Sequence, residues 1–261
     1  MTTRRDLLKG GAAIGIGAAV GSQQSAQAAT SDALFAHDLT TIPVVGSDKP
    51  FAVRRIYCVG RNYAAHSREM GSDPNREPPF FFQKPTDAIQ IVMPDQTVDH
   101  PYPPKTKNYH YEIELVAALG KGGKNIPADK ALEYVYGYAV GLDMTRRDLQ
   151  RAMGDEKKPW EIGKSFDRSA PISPIYPASK VGHFTKGAIT LKVNGQVKQS
   201  SSLDKMIWSV AEQIANLSEF YELFPGDIIY SGTPEIVGPV GAGDLMEGQI
   251  EALGAIKVKV T

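Results

Sequence analysis

The chain has 261 residues, which allows one large domain or two small ones, and 42% of them are hydrophobic, so a full core can form. Lysine and arginine together number 29, as do aspartate and glutamate, and this balance gives no indication of nucleic acid or an anionic surface as a partner. The single cysteine, Cys58, excludes an intrachain disulfide. Glycine (25) and proline (18) are plentiful, which favours many short strands joined by turns.

Residues 1–28 have the layout of a twin-arginine export signal. Arg4 and Arg5 precede an apolar stretch rich in glycine and alanine, and the sequence AQA at 26–28 is typical of a cleavage site. The apolar stretch is too short to span a bilayer, so we expect no stable membrane anchor. The pattern therefore predicts export to the periplasm.

Residues 29–50 are polar and contain proline, and we expect an N-terminal arm there before a single domain at 51–261. The domain is predicted to be mostly β, with few helices. The predicted elements are, in chain order, a strand in RRIYCVG, a helix in NYAAHSREMG closed by Gly71, an extended segment in PPFFFQKP, a strand in YEIELVAALG, a helix over 128–136, a strand over 137–143, a helical turn in TRRDLQRAM, a hairpin in AITLKVNGQVKQ, a helix in MIWSVAEQIANLSEFYEL, a strand in DIIY and a C-terminal meander.

Two carboxylates lie one residue apart in the strand YEIELVAALG. Strand side chains alternate between faces, so Glu112 and Glu114 point the same way and repel each other unless a cation neutralises them. A hard divalent cation does this best and takes further oxygen ligands, for which Asp143, at the end of the strand over 137–143, is the best candidate. Two alternatives stay open: a solvated strand face without metal, and a nitrogen ligand from His110, which has the same strand parity. The opposite face is apolar and carries Ile113, Leu115 and Ala117.

Two further groups have a pattern that suits chemistry. His66 and Glu69 are three residues apart on a short helix and therefore share a face, where the carboxylate can orient the imidazole as a base for water. Lys164 follows a glycine in a mostly apolar stretch, a setting in which a lysine can hold an anion or an oxyanion. The alternatives are an ordinary surface helix and a solvated lysine.

The order of these motifs resembles the fumarylacetoacetate hydrolase family, and its small acylpyruvase members in particular. The resemblance runs from about Ile56 to the C-terminus. It rests on seven segments: GRNYAAHSREMG, FFFQKP, YEIELVAALGK, GYAVGLDMTRRDLQ, GKSFDRSAPISP, LKVNGQVKQ and PGDIIYSGTP. It implies a mixed β-roll or sandwich of the family's C-terminal domain type, in the α+β class but mostly β, and a homodimer.

The resemblance also implies roles for single residues. Glu112, Glu114 and Asp143 match the family's metal ligands, usually for Mg²⁺ or Mn²⁺, with Ca²⁺ an alternative in crystals. His66 and Glu69 match the pair that activates water, on a segment that often closes over the substrate.

The remaining matches concern the substrate. Lys164 matches the lysine that stabilises negative charge on the substrate. Arg147 and Gln150 match positions that contact the substrate or support the site. Thr233 matches the loop threonine beside its carboxylate.

The implied activity is metal-dependent hydrolysis of the C–C bond of a 2,4-dioxo acid, and some segments look most like those of members that cleave fumarylpyruvate. Two alternatives stay open. The same metal site supports decarboxylation of oxaloacetate or isomerisation or tautomerisation of a 2-oxo diacid, and the scaffold can also serve a catalytically silent periplasmic binding protein. The expected partner is the small-molecule substrate.

The chain departs from the family pattern next to Thr233. Many relatives read GTPAGVG where this chain reads GTPEIVG, so Glu235 and Ile236 replace two small residues. A carboxylate at Glu235 would repel a dianionic substrate if it pointed into the pocket. The export signal is a second departure, because aromatic catabolism normally ends in the cytoplasm.

Overall fold

The computed structural model describes residues 34–69 and 77–261, and residues 39–261 form one compact unit. Short strands dominate it, as the glycine and proline content predicts. The strands are β1 (Thr41–Ile42), β2 (Phe51–Ala52), β3 (Arg55–Gly60), β4 (Phe80–Lys84), β5 (Ile89–Ile91), β6 (Thr97–His100), β7 (Tyr109–Tyr111), β8 (Ile113–Leu119), β9 (Val135–Leu142), β10 (Thr145–Arg146), β11 (Ala170–Ile172), β12 (Tyr176–Pro177), β13 (Ala188–Val193), β14 (Gln196–Ser202), β15 (Asp227–Tyr230), β16 (Gly238–Pro239), β17 (Leu245–Ile250) and β18 (Gly254–Val260).

Helices are few and short in the described ranges. They are α1 (Ala64–Glu69), α2 (Arg147–Asp155), α3 (Glu161–Lys164), α4 (Ala178–Val181) and α5 (Val210–Phe220). Single 3₁₀ turns lie at Thr86–Ala88, Ala131–Tyr134 and Leu203–Lys205. None of these helices has the length and apolar content needed to cross a membrane.

Two large sheets enclose the main core. An eight-stranded sheet has the order β4-β3-β15-β8-β9-β11-β5, with β12 also on β9, and a five-stranded sheet has the order β14-β13-β17-β18-β6. Strand β13 packs on β8, and β17 and β18 pack on β9. The predicted mixed, mostly β fold is therefore confirmed.

The central strand β8 is buried on both faces. Ile113, Leu115 and Ala117 belong to the core between the two sheets, as the alternation predicts. Val116 and Ala118 belong to a second core on the other face, which also contains the buried Cys58. The two carboxylates of the predicted pair share the parity of this second face, so the site lies at one end of the second core.

The predicted single strand YEIELVAALG is wrong at one point. It is interrupted at Glu112, so that β7 pairs with β10 and β16 in a separate three-stranded sheet, while β8 continues in the large sheet. The Glu112 carbonyl accepts from the Asp143 N–H at 2.8 Å, at the point where the chain crosses between the sheets. The interruption therefore joins the two segments that carry the acidic residues.

The predicted helix over 128–136 is also wrong. Only a 3₁₀ turn forms, at Ala131–Tyr134, and β9 already begins at Val135. The Tyr134 carbonyl accepts from the Gly120 N–H at 2.8 Å instead of continuing a helix. Pairing of Val135 with Leu119 in the sheet thus overrides the local helical propensity.

The predicted export signal, residues 1–28, and Gly71 lie outside the described residues. The predicted arm over 29–50 is described from Leu34 onward. Within it, β1 pairs with β2, and Val44 is buried and forms a bridge with Ile175.

Candidate active site

Three carboxylates meet at the crossing between the sheets. Glu112 lies between β7 and β8, Glu114 lies in β8, and Asp143 follows β9, whose Leu142 pairs with Ile113. Each offers one oxygen within 4.8 Å of the others. Their exposed fractions are 3%, 2% and 1%, so the alternative of a solvated strand face is excluded.

Glu112 and Glu114 have opposite electrostatic environments. Burial raises the pKa of Glu112, but the charges of Lys164 and Arg147 outweigh burial, and the net pKa lies far below its usual range. Burial and the charges of Asp143 and Glu112 raise the pKa of Glu114 well above its usual value. Its polar contact is the Gly232 N–H, which donates to Oε2 at 2.8 Å. Within the part of the chain that the structure describes, Glu114 thus contacts no cation that would hold it ionised.

Lys164 bridges the other two carboxylates. Its Nζ donates to Glu112 Oε2 at 2.7 Å and to Asp143 Oδ2 at 2.6 Å. Burial lowers the pKa of Lys164, but the charges of Asp143 and Glu112 outweigh burial and the net pKa is raised. Gly163 permits this position, because a Cβ there would lie 2.7 Å from the backbone of Gln150 in α2.

Lys84 is a second buried lysine at the triad, and sequence reasoning gave it no role. It ends β4, and its Nζ lies 2.9 Å from Asp143 Oδ1 and also donates to the Lys164 carbonyl oxygen. Its side chain is fully buried. The only signal in the sequence was its place in the segment FFFQKP, since a lone lysine is usually solvated.

The residues present fit a divalent metal ion. The donor set consists of carboxylate oxygens, which Mg²⁺ and Mn²⁺ prefer. Glu114 is buried among like charges, and within the described residues its carboxylate contacts no cation, so one group of the triad lacks the partner that a metal ion supplies.

His110 is not part of this group in the described ranges. Its Nε2 lies 2.8 Å from Asn108 Oδ1, and its Nδ1 accepts from Arg147 Nε at 3.4 Å. Burial and the charge of Arg147 lower the pKa of His110 to about 4. The histidine therefore packs beside the site as a neutral ring, and the nitrogen-ligand alternative is not supported.

Helix α2 places two polar side chains on the pocket. Arg147 and Gln150 are three residues apart, both are buried, and Arg147 Nη1 donates to Gln150 Oε1 at 2.7 Å. Arg147 Nη2 also donates to Glu112 Oε1. Arg147 therefore balances the charge of Glu112 and orients Gln150.

Helix α1 carries the predicted pair. His66 Nδ1 lies 3.1 Å from Glu69 Oε2, and the same oxygen accepts from the Ile236 N–H at 3.0 Å. Burial raises the pKa of Glu69. The hydrogen bond to His66 and the electrostatic attraction of the His66 ring outweigh burial, so the net pKa is lowered. The helix is thus fixed to the loop that follows β15.

That loop, residues 231–236, holds Thr233 at the pocket. Thr233 Oγ1 accepts from Gln199 Nε2 at 3.0 Å, and Gln199 also donates to the Pro234 carbonyl at 2.8 Å. Gly232 has a φ of 98°, and a Cβ there would lie 2.6 Å from that of Asn62, so the close approach requires glycine. Sequence reasoning assigned no role to Gln199 or Asn62.

The two unusual loop residues do not enter the pocket. Glu235 lines a separate groove with Arg68 and Lys205, so its carboxylate does not face the triad. Ile236 is 59% exposed and adopts a φ of 65°, a conformation rare for a β-branched residue.

The predicted residues meet in one pocket, apart from Glu69, which supports it from outside. The pocket has an empty volume of about 330 Å³ that includes open solvent. Its walls include Arg61, His66, Phe82, Glu112, Glu114, Asp143, Arg147, Gln150, Trp160, Lys164 and Thr233. Fold and site together define an enzyme with a buried divalent-metal site built from carboxylates.

Comparisons with known proteins identify the family. Residues 55–261 match the family described as fumarylacetoacetate (FAA) hydrolase C-terminal. The chain belongs to the fumarylacetoacetate hydrolase family.

Named relatives and solved structures agree with this assignment. A fumarylpyruvate hydrolase of Ralstonia sp. is 50% identical over 188 residues, which cover 72% of this chain and 95% of the relative. The crystal structure of fumarylpyruvate hydrolase from Pseudomonas aeruginosa in complex with Mn²⁺ and pyruvate is 58% identical, with a TM-score of 0.87, and the match covers 88% of this chain and 99% of that one. Human oxaloacetate tautomerase FAHD1, mitochondrial, is 39% identical over 211 residues, which cover 79% of this chain and 91% of the relative.

Proposed function

We propose that this enzyme hydrolyses the C–C bond of a 2,4-dioxo acid, with fumarylpyruvate as substrate and fumarate and pyruvate as products. The observation that carries the proposal is a single pocket in which His66, bonded to Glu69 outside the pocket, lies beside a buried carboxylate triad. The fumarylpyruvate hydrolases at 50% and 58% identity support the choice of substrate.

Glu112, Glu114 and Asp143 are the residues that would hold Mg²⁺ or Mn²⁺. When bound, such an ion supplies Lewis-acid polarisation of the substrate's oxygen atoms. The chain's own residues supply the proton transfers and the remaining charge.

His66 is placed to act as the base. Because its Nδ1 is bonded to Glu69, its Nε2 is free to take a proton from water. The resulting hydroxyl adds to the distal carbonyl carbon. The C–C bond then breaks, and its electron pair goes to the methylene carbon of the pyruvate fragment. This methylene carbon takes the proton back from His66.

Four residues handle the charge of the substrate in this proposal. Lys164 provides a fixed positive charge for the developing oxyanion. Arg147 and Gln150 form one hydrogen-bonded unit that supports the pocket wall and contacts the substrate. Thr233, held by Gln199, is placed to donate its hydroxyl hydrogen to the substrate carboxylate.

A second candidate function is tautomerisation or decarboxylation of oxaloacetate, which the relatives named oxaloacetate tautomerase favour. These reactions need the metal site but no activated water. A His66→Asn variant separates the two. We expect it to lose fumarylpyruvate hydrolysis by at least about a hundredfold, the usual scale of general base catalysis, and to keep any decarboxylation of oxaloacetate.

Two outcomes of this experiment count against the proposal. If wild type and His66→Asn consume oxaloacetate equally and neither cleaves fumarylpyruvate, the second function is the correct one. If the metal-loaded wild type turns over neither compound, the chain is a binding protein.

We also propose that the enzyme is exported by the twin-arginine route and acts as a homodimer. The twin arginine and the AQA sequence at 26–28 support export. An Arg4→Lys, Arg5→Lys double variant should accumulate in the cytoplasmic fraction while wild type appears in the periplasm.

The proposed homodimer has its own test. Light scattering during gel filtration should give twice the chain mass.

A further inference from the structure

Arg61 occupies an unusual position at the end of β3. Its φ is 56°, in the left-handed region that non-glycine residues seldom adopt. Its guanidinium lies over the rings of Phe80 and Trp160, 5.7 Å from each centroid. These two rings pack edge to face at 5.3 Å, so the arginine is held by an aromatic pair rather than by a carboxylate.

The guanidinium of Arg61 has no oppositely charged partner within the described part of the chain. The other lysines and arginines at the site, Lys84, Lys164 and Arg147, each pair with a carboxylate of the triad. Arg61 forms no ion pair there, and its buried Nε has no hydrogen-bond partner. A buried donor without a partner is costly, so this geometry indicates a place for an acceptor from outside the chain.

Arg61 also lies where two cavities join. Together with Gln150 and Trp160 it lines both the inner pocket and an outer groove with an empty volume of about 900 Å³ that includes open solvent. Two acids, Glu69 and Asp155, line the groove as well. Glu69 is already bonded to His66 and to the Ile236 N–H, and Asp155 is exposed at the end of α2.

We propose that Arg61 binds a carboxylate at the acyl end of the substrate and that the outer groove receives this end. The enzyme then selects 2,4-dioxo acids whose acyl group is itself an anion. The inference rests on the proposed function, in which the opposite end of the substrate lies at the acidic triad. A guanidinium matches a carboxylate with two parallel hydrogen bonds, and the aromatic pair keeps it oriented before the substrate arrives.

Equilibrium binding tests the inference without turnover. The two probes are 2-oxoheptanedioate, which has the seven-carbon chain of fumarylpyruvate, and 2-oxoheptanoate, which lacks its distal carboxylate, each titrated calorimetrically into Mn²⁺-loaded protein. Wild type should bind the diacid at least about tenfold more tightly, the effect of one charge-assisted contact. Arg61→Gln should bind both within about twofold, and Arg61→Lys, which keeps the charge but not the fork, should fall between.

Arg151→Gln is the matched control, because Arg151 is an exposed arginine on the same groove. It should keep the preference for the diacid. Circular dichroism verifies that each variant is folded. If Arg61→Gln does not fold, the affinities of Arg61→Lys for the two probes decide the test.

The inference is overturned if wild type shows no preference for the diacid, if the Arg61 variants keep it, or if Arg151→Gln removes it.

A kinetic comparison adds a second measurement. Arg61→Gln should lower kcat/KM for fumarylpyruvate at least about tenfold more than kcat/KM for acetylpyruvate, which lacks the second carboxylate. Equal losses of kcat/KM with fumarylpyruvate and acetylpyruvate would also contradict the inference. Since binding needs no catalysis, failure of the proposed function would not be mistaken for failure here.

Discussion

Three basic side chains surround two of the three carboxylates. Lys84 and Lys164 contact Asp143, and Lys164 and Arg147 contact Glu112. Glu114 receives one backbone N–H. The positive charges of the described residues therefore lie at Glu112 and Asp143 and not at Glu114, which is where a divalent ion contributes most.

Lys84 should be essential for stability in the metal-free protein. Lys84→Met leaves Asp143 buried with one ion-pair partner fewer, and removing one partner of a buried pair typically costs about 3 kcal/mol. Saturating Mn²⁺ should recover part of this loss because it supplies a charge to the same carboxylate. Urea unfolding in EDTA and in Mn²⁺ measures both effects.

An exposed pair gives the control for this variant. Lys130 lies 3.8 Å from Glu133, and both side chains are 61% exposed, so Lys130→Met should change little. Equal effects of the two variants would contradict the structural role of Lys84.

Ile236 should be a strained residue. Its φ of 65° costs a non-glycine residue about 1 to 2 kcal/mol, and glycine loses about 0.5 to 1 kcal/mol of chain entropy instead. Ile236→Gly should therefore raise the free energy of unfolding by about 0.5 to 1 kcal/mol. Ile162→Gly, at a half-exposed position in helix α3, should lower it. Loss of stability in both variants would show that the loop is not strained.

The sequence predicts some of these residues and not others for a physical reason. Glu112 and Glu114 are predicted because a period of two in a strand is a local property. Lys84 and Gln199 are not, because their roles depend on contacts with residues 143 and 233, far away in the chain. The backbone conformation of Ile236 likewise gives no signal in a sequence.

At the scale of elements, Asn62 joins three segments. It follows β3, donates to the Ser231 carbonyl at 2.7 Å and the Trp208 carbonyl at 2.9 Å, and accepts from the Trp208 N–H at 2.8 Å. It thereby fixes the start of α1 to the loop of Thr233 and to the segment before α5. This side chain thus fixes the distance between helix α1, which carries His66 and Glu69, and the loop of Thr233.

Asn62→Ala should lower the free energy of unfolding by about 2 to 3 kcal/mol, because it removes three hydrogen bonds, although Gln213 Nε2 still donates to the Trp208 and Ser231 carbonyls. Asn216→Ala is the control, since Asn216 bonds within its own helix, to the Glu212 carbonyl, and should change stability by less than about 0.5 kcal/mol. Chemical denaturation of both variants measures the difference. A loss below about 1 kcal/mol for Asn62→Ala would contradict the role assigned to it.

Elements with local signals are predicted well. The hairpin of β13 and β14 turns at Asn194 and Gly195, whose φ values of 52° and 77° suit the turn that this pair predicts. Helix α5 begins with a capping box between Ser209 and Glu212. The helix over 128–136 fails because the sheet competes for its last residues, and that competition involves a strand distant in sequence.

At the scale of the whole molecule, the pattern predicts many short strands but not their order. The parallel pairing of β15 with β3 joins residues 227–230 with 55–58. No local signal indicates such a pairing. The resemblance to a known family provides the fold where periodicity does not.

Stability should decrease on mild acidification through His100. Burial and the charge of Arg168 lower its pKa to about 4 from an ordinary value of 6.5, so the unfolded chain binds a proton at a pH where the folded chain does not. The contribution is fully present above pH 6.5 and is lost as the pH falls toward 4. Between pH 7.5 and 5 it should amount to about 2 kcal/mol.

Urea unfolding of wild type and His100→Gln across this range measures the contribution. The variant should show a pH dependence smaller by that amount, because it has no proton to bind. Parallel curves for the two proteins would contradict the assignment of a neutral, buried His100.

The most direct test of the central claim is the decay of fumarylpyruvate absorbance with the purified protein, first in Mn²⁺ and then in excess EDTA. We expect decay only with the metal, with fumarate and pyruvate formed in equal amounts. Metal-independent decay would contradict the role of the carboxylate triad. No decay in Mn²⁺, with oxaloacetate still consumed, would contradict C–C hydrolysis as the function of the site.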